Sequence, residues 1–334
     1  MKNKEQLYMA KLKQSFLLAF FFISIFLTIG IIYNDKTLEA REKNSAYTAS
    51  IMHNGLKRTY RIHVPPDDKN RPMPLVIALH GGGGTGSRME KLTQGGFNTL
   101  SDREGFIVVY PDGLEKHWND GRNAKEAGWR AHKENTDDVG FISALIEHLV
   151  KEQNSDPEKV YITGVSNGAL MASRLACEKT EKITAVALVA GTIAADFAPH
   201  CSPSRPIPIL MIHGTEDSFV LWEGGEIAAN LPRGRRFGRT LSVPETVKFW
   251  VANNECPSSP IITQEPDKDP KDNTRVRKEV YSDCKNGAEV ILYAIENGGH
   301  TWPSGHKYLP DRIVGRTSKD IDANEVIWDF FKKH

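Results

Sequence analysis

Charge of one sign is what this sequence most plainly lacks. Its 43 Lys and Arg stand against 42 Asp and Glu, for a formal net charge of +1 over 334 residues. With no long basic run beyond the extreme N-terminus, that balance argues against a nucleic-acid partner. Cysteine is scarce: four residues, none at the spacings that hold a metal, so no metal centre is expected. No motif asks for a cofactor. Internal repeats are absent. Only residues 16–33 form a long uncharged apolar run, so membrane contact is expected through the N-terminal segment alone. What remains is ordinary for a globular protein with a sizeable core, 40% hydrophobic and 25% charged.

Lys2, Lys4, Lys11 and Lys13 precede the apolar run, and a basic segment followed by an apolar one marks export. The run is longer than a usual signal-peptide core, and no clean small-x-small cleavage site follows it. A cleaved signal and an uncleaved signal anchor with its basic end in the cytoplasm are both open readings. Either leaves the rest of the chain outside the cytoplasm. Residues 1–40 are thus read as export segment plus linker, and residues 41–334 as one domain. Cys177, Cys201, Cys256 and Cys284 fit that setting as two disulfides. Of the three possible pairings, Cys177–Cys201 with Cys256–Cys284 closes the shortest loops.

Strand and helix signals alternate from residue 47 to the end. Residues 47–53 and 56–64 flank Asn54-Gly55, a strong hairpin signal. Buried-type strands follow at residues 75–79, 106–110, 160–163, 183–189, 209–212 and 289–295. Between them, one helix is read over residues 89–103, another capped by Thr136 with an apolar stripe, and another over residues 169–177. Ser242 with Glu245 forms a capping box, and Asp322 with Glu325 opens the last helix. Residues 114–134, polar and aromatic, read as an insertion over one end of the sheet, and residues 257–274 as an exposed loop. The pattern predicts an α/β fold, a mostly parallel central sheet with helices on both faces.

Gly164-Val-Ser166-Asn-Gly168 lies between such a strand and such a helix. A serine there occupies a strained turn, with glycines two residues away on each side leaving room where a side chain would collide. The turn lifts the hydroxyl clear of the sheet and aims the first helix amides at the same point. A serine hydroxyl needs a base, and the base needs an orienting carboxylate. In strand-turn-helix hydrolases the order is Ser, acid, His. Asp217, just beyond a buried strand, meets the second requirement. His300 meets the third better than His306 or His334, because its Gly-Gly-His turn directly follows the last strand. His80 and His213 come too early and are expected to brace loops. The run from His80 to Gly84 suits an oxyanion loop, with the amides of Gly81, Gly82 and Asn167 as donors.

On these residues the sequence resembles esterases grouped with polyhydroxybutyrate depolymerases and feruloyl esterases, within the α/β-hydrolase fold. The run from Leu79 to Gly84, Tyr110-Pro-Asp-Gly113, Trp118-Asn-Asp-Gly-Arg122 and Asp137-Asp-Val-Gly-Phe141 carry the resemblance. So do the run around Ser166, His213-Gly-Thr-Glu-Asp217 and the run from Gly298 to Pro303. The resemblance implies an exported serine esterase forming an acyl-enzyme, acting on hydroxyalkanoate oligomers or short esters. Feruloyl or acetyl-xylan ester cleavage on polysaccharides is the alternative, and a serine peptidase of the same fold is the alternative from another class. Trp302, two residues from His300, and Trp118, in the aromatic insertion, are expected to wall the substrate site.

Overall fold

Asn54 and Gly55 both take positive φ, 47° and 75°, where β1 (Ala46–His53) turns into β2 (Leu56–His63). This holds in the computed structural model, which describes residues 46–66, 71–229 and 237–334. Residues 16–33, read above as an export signal or anchor, lie outside the described residues. Among the described residues no helix is long and apolar enough to cross a membrane.

After the hairpin come β3 (Met73–Leu79), helices α1 (Gly86–Leu92) and α2 (Gly96–Glu104), β4 (Ile107–Pro111) and α3 (Asp138–Gln153). Then follow β5 (Ser155–Val165), α4 (Asn167–Glu178), β6 (Ala185–Val189), β7 (Ile209–Gly214) and the short ribbon β8 (Gly225–Glu226) with β9 (Arg239–Thr240). Helix α5 (Val243–Asn253), β10 (Ile261–Gln264), β11 (Arg275–Tyr281), β12 (Val290–Glu296) and α6 (Ala323–Phe331) complete the order. Ten strands share one sheet, ordered β1-β2-β4-β3-β5-β6-β7-β12-β11-β10. The six from β4 to β12 run parallel, and the flanking pairs are antiparallel. All six parallel strands therefore end on one edge, where their following loops meet.

Period-two alternation decides which helices cover which face. Leu75, Ile77 and Leu79 of β3 point into one core with α3, α4 and α5, including Leu145, Leu175 and Trp250. Val76 and Ala78 point the other way, against Phe97 of α2 and Trp328 and Phe331 of α6. Burial on both faces explains why these strands read as unbroken apolar runs.

Four local expectations need correction. The helix read over residues 89–103 is two, because Gln94 and Gly95 take φ of 54° and 67° and end the first turn set. Gly96 then approaches Asn324 so closely that a Cβ would lie 2.4 Å from its Nδ2. Asp137, not Thr136, caps α3, accepting from the Gly140 amide at 2.7 Å. Residues 257–274 are not all loop: exposed β10 pairs with β11 at the sheet edge, through backbone bonds that a polar surrounding does not forbid. Asp322 caps α6 alone, while Glu325 pairs with Arg103 instead of closing a box.

Both cysteine pairs join as the shortest-loop reading expects, Cys177–Cys201 and Cys256–Cys284, with sequence separations of 24 and 28. The first ties the end of α4 to the loop after β6; the second ties the end of α5 to the turn before β12. Loop closure of this length stabilises by about 3 kcal/mol per bridge in the chain-entropy picture. Non-reducing peptide mapping should recover both linked pairs, and reduction should lower the unfolding midpoint. Four thiols open to alkylation without reductant would overturn the assignment.

Candidate active site

The strand-to-helix turn at Ser166 owes its shape to what the glycines exclude. A Cβ on Gly164 would lie 2.5 Å from the Gly168 carbonyl, and one on Gly168 would lie 2.3 Å from the Leu79 oxygen. Neither glycine has positive φ; both are required by the close approach of β5, α4 and β3. The strain falls on Ser166 itself, at φ 55° and ψ −121°, a conformation that L-residues rarely adopt. Its amide donates to Val189 of the neighbouring strand at 3.0 Å, which fixes the turn to the sheet edge. The side chain is half-buried and, among the described residues, makes no hydrogen bond.

Asp217 lies three residues past β7, and His300 four past β12, on the same edge. Their side chains meet: His300 Nδ1 is 2.7 Å from Asp217 Oδ2. Because a carboxylate only accepts, Nδ1 carries the hydrogen, and in the neutral imidazole Nε2 keeps its lone pair. The other oxygen, Oδ1, accepts from the amides of Phe219 and Val220 at 2.8 and 2.9 Å. Burial pushes this carboxyl up, but His300, His213 and the Phe219 amide together hold it below the usual carboxylate range. His213 Nε2 donates to the Val220 carbonyl at 2.8 Å and lies 3.5 Å from Asp217 Oδ2. It braces the acid turn, as expected. Tyr308 donates to the His300 carbonyl at 2.7 Å, and the His300 amide donates to Val314 at 2.5 Å, so the loop holding the imidazole is tied from two sides.

The glycine run after β3 lies against the serine turn. A Cβ on Gly81 would be 3.5 Å from that of Ser166, and one on Gly82 would be 3.8 Å from that of Asn167. The amides of Gly83 and Gly84 are used on Lys116 and Gly81 carbonyls. Those of Gly81, Gly82 and Asn167 have no such partner among the described residues. His80 anchors this loop in one tautomer: Nδ1 donates to the Gly81 carbonyl at 2.8 Å, and Nε2 accepts from the Gly113 amide at 2.9 Å.

That arrangement has no place for a second proton. Burial, against a smaller opposing pull from the Gly81 carbonyl and Asp112, lowers the His80 pKa from 6.5 to about 4. The unfolded chain protonates near 6.5 and the folded one only near 4, so His80 contributes its full stability above pH 6.5. The contribution is lost progressively as pH falls to about 4 and totals about 3 kcal/mol. Unfolding free energies measured from pH 7 to pH 4 should show a slope that His80→Gln reduces by up to one proton. An unchanged slope would mean that the imidazole titrates normally.

The two tryptophans expected to wall the substrate site do not reach it. Trp118 is 0% and Trp302 1% exposed. Trp118 lies against the His80 ring, with centroids 4.9 Å apart, and its Nε1 donates to the His80 carbonyl at 2.9 Å. Trp302 packs edge-on to Phe97 beneath the loop. Both are scaffold for irregular segments. Half-buried aromatics that the sequence reading missed lie nearer. Phe219 is 5.1 Å from His300 between ring centroids, and the His117 ring would touch a Cβ on Gly82 at 3.5 Å. His117 stacks on Trp129, which stacks on Phe237. Phe219 and Phe237 both pack on the cluster of Leu170, Ala194 and Ile227. Their only sequence signals were position: Phe219 two residues after Asp217, and His117 and Trp129 inside the aromatic insertion.

Comparison with known proteins relates the chain to esterases. Residues 58–221 match the family described as Esterase PHB depolymerase. The chain is 30% identical over 308 residues to NocK of Nocardia uniformis subsp. tsuyamanensis, assigned as an esterase, covering 89% of this chain and 83% of that one. It is 29% identical over 243 residues to feruloyl esterase B of Piromyces equi, covering 71% of this chain and 41% of the relative. Among solved structures, an acetyl xylan esterase from Aspergillus awamori superposes with a TM-score of 0.52 at 18% identity, over 76% of this chain and 94% of that one. The fold is that of the α/β-hydrolases, and the chain belongs to the polyhydroxybutyrate depolymerase family of esterases.

Proposed function

We propose that this esterase works through Ser166 as nucleophile, His300 as base and Asp217 as the carboxylate that orients it. The observation that carries the reading is the 2.7 Å contact of His300 Nδ1 with Asp217, on the sheet edge where Ser166 sits at φ 55°. In this scheme Ser166 Oγ attacks the ester carbonyl while His300 Nε2 takes its proton. The oxyanion is met by the amides of Gly81, Gly82 and Asn167, each such donor contributing about 3 kcal/mol at the barrier. The protonated imidazole returns its proton to the departing alkoxide, leaving an acyl-enzyme. Water, deprotonated by the same imidazole, releases the acid and restores the serine.

The substrates proposed first are hydroxyalkanoate oligomers or short esters. The half-buried stack of His117, Trp129 and Phe237, whose His117 end lies beside Gly82, favours a second reading, in which a flat aryl acyl group such as feruloyl is released from a polysaccharide. The two disulfides and the basic-then-apolar N-terminus support action outside the cytoplasm. Parallel assays with p-nitrophenyl esters and peptide anilides, followed by substrates bearing hydroxybutyryl, acetyl and feruloyl groups, test the class and then the acyl preference. Peptide turnover without ester turnover would overturn the proposal.

A further inference from the structure

We infer that Asp120 is a positioning residue for the oxyanion site, acting through the side chain of Asn167; this rests on the proposed role of the Asn167 amide. Asn167 directly follows Ser166 and opens α4, so its backbone N–H is one of the helix donors with no intrahelical partner. Its side chain is 2% exposed and held at both ends. Oδ1 accepts from the Trp118 amide at 2.9 Å, and Nδ2 donates to the Trp118 carbonyl at 3.0 Å. The same Nδ2 donates to Asp120 Oδ2 at 2.6 Å. All three bonds run to one short segment, which in turn holds His80 through the Trp118 indole.

The choice of a carboxylate at residue 120 needs a reason, because a buried charge is costly unless paired. Asp120 is 0% exposed. Arg122 compensates it, with Nε 3.0 Å from Oδ2 and its amide 3.2 Å from Oδ1, and His132 Nε2 lies 3.9 Å from Oδ1. A neutral acceptor would satisfy the Asn167 amide group without that ion pair. What the carboxylate adds is a charge-assisted bond, shorter and stiffer than a neutral one. Stiffness at this atom has a consequence elsewhere. A Cβ on Gly82 would lie 3.8 Å from that of Asn167, so Asn167 contacts both the glycine loop and residues 118–120. Releasing the Asp120 tether lets the Asn167 side chain and its peptide rock, and the N–H then no longer points where the oxyanion forms. A displacement of about an ångström at such a donor is enough to cost on the order of 100-fold.

The test is a set of purified full-length variants, Asp120→Ala, Asp120→Asn, Asn167→Ala and the Asp120→Ala/Asn167→Ala double. Each is counted by active-site titration with a fluorophosphonate. Per titrated site, Asp120→Ala should lower kcat by roughly 30-fold with KM changed little, and weaken a boronic acid transition-state mimic in parallel. Asp120→Asn should lie between it and wild type. The double variant should fall no further than the worse single, because both changes cut the same link. Two results would overturn the inference: an unchanged kcat per titrated site with a lowered melting temperature, or additive losses in the double variant. If Asp120→Ala does not fold, Asp120→Asn and Asn167→Ala carry the same comparison. The titration separates failure of this inference from failure of the catalytic reading: a protein that hydrolyses esters but is not labelled at Ser166 would refute the latter alone.

Discussion

Alanine at Ser166 is expected to reduce ester turnover by about 10⁶-fold, leaving only what the oxyanion donors and substrate binding supply. The fold should be untouched, since the serine side chain makes no hydrogen bond among the described residues and its strained φ is set by the backbone around it. Asp217→Asn is expected to cost about 10⁴-fold, for a reason visible in its partners. Both carboxylate oxygens accept from N–H groups, Oδ1 from Phe219 and Val220 and Oδ2 from His300. An amide at this position must turn its NH₂ toward one of those donors. Either the acid turn opens or His300 shifts to the tautomer that carries its hydrogen on Nε2, and the base is lost. Steady-state kinetics on a p-nitrophenyl ester check both variants. Ser166→Ala turnover comparable with wild type would end the assignment. Loss in His306→Ala with none in His300→Ala would move the base.

The candidate site was legible in the sequence where a residue type has few substitutes. Gly164 and Gly168 can be read because no other residue fits between β5, α4 and β3, and together they mark the turn that strains Ser166. Asp217 and His300 could be found because buried strands announce their own ends, and the loops beyond those ends share one sheet edge. Contacts made across long separations were not legible. Nothing in the local pattern joins Asn167 to Asp120, 47 residues apart, or Tyr308 to the carbonyl of His300. The helix break at Gly95 was hidden because the apolar spacing of Met89, Phe97 and Leu100 continues through it on the same core face. Strand β10 was hidden because an edge strand with every residue exposed has no buried face to impose alternation. Burial of the tryptophans was misread for a related reason: nearness in sequence to the loop proposed to carry the base says nothing about which side of that loop a ring occupies.

Trp302→Ala is accordingly expected to act on stability first. The indole is 1% exposed, in the core face formed by α2, α6 and the sheet, and meets Phe97 edge-on at 6.1 Å and 78°. Emptying that volume should cost about 3–5 kcal/mol and lower the melting temperature by roughly 10 °C. Turnover should fall as well, by a similar factor for every acyl chain length, because Trp302 sits beneath the turn that presents His300. Its carbonyl accepts from Gly305 at 2.8 Å, and a Cβ on Gly305 would lie 2.8 Å from the Trp302 Cβ, so this turn closes directly over the residue. Trp302→Phe separates packing from contact. It keeps an aromatic edge for Phe97 and discards an Nε1–H that is buried without a hydrogen-bond partner among the described residues, so most of the stability should return. Differential scanning calorimetry and kcat/KM across acetyl to octanoyl p-nitrophenyl esters read both effects. A chain-length-dependent loss in Trp302→Ala with an unmoved melting temperature would instead place the indole against substrate.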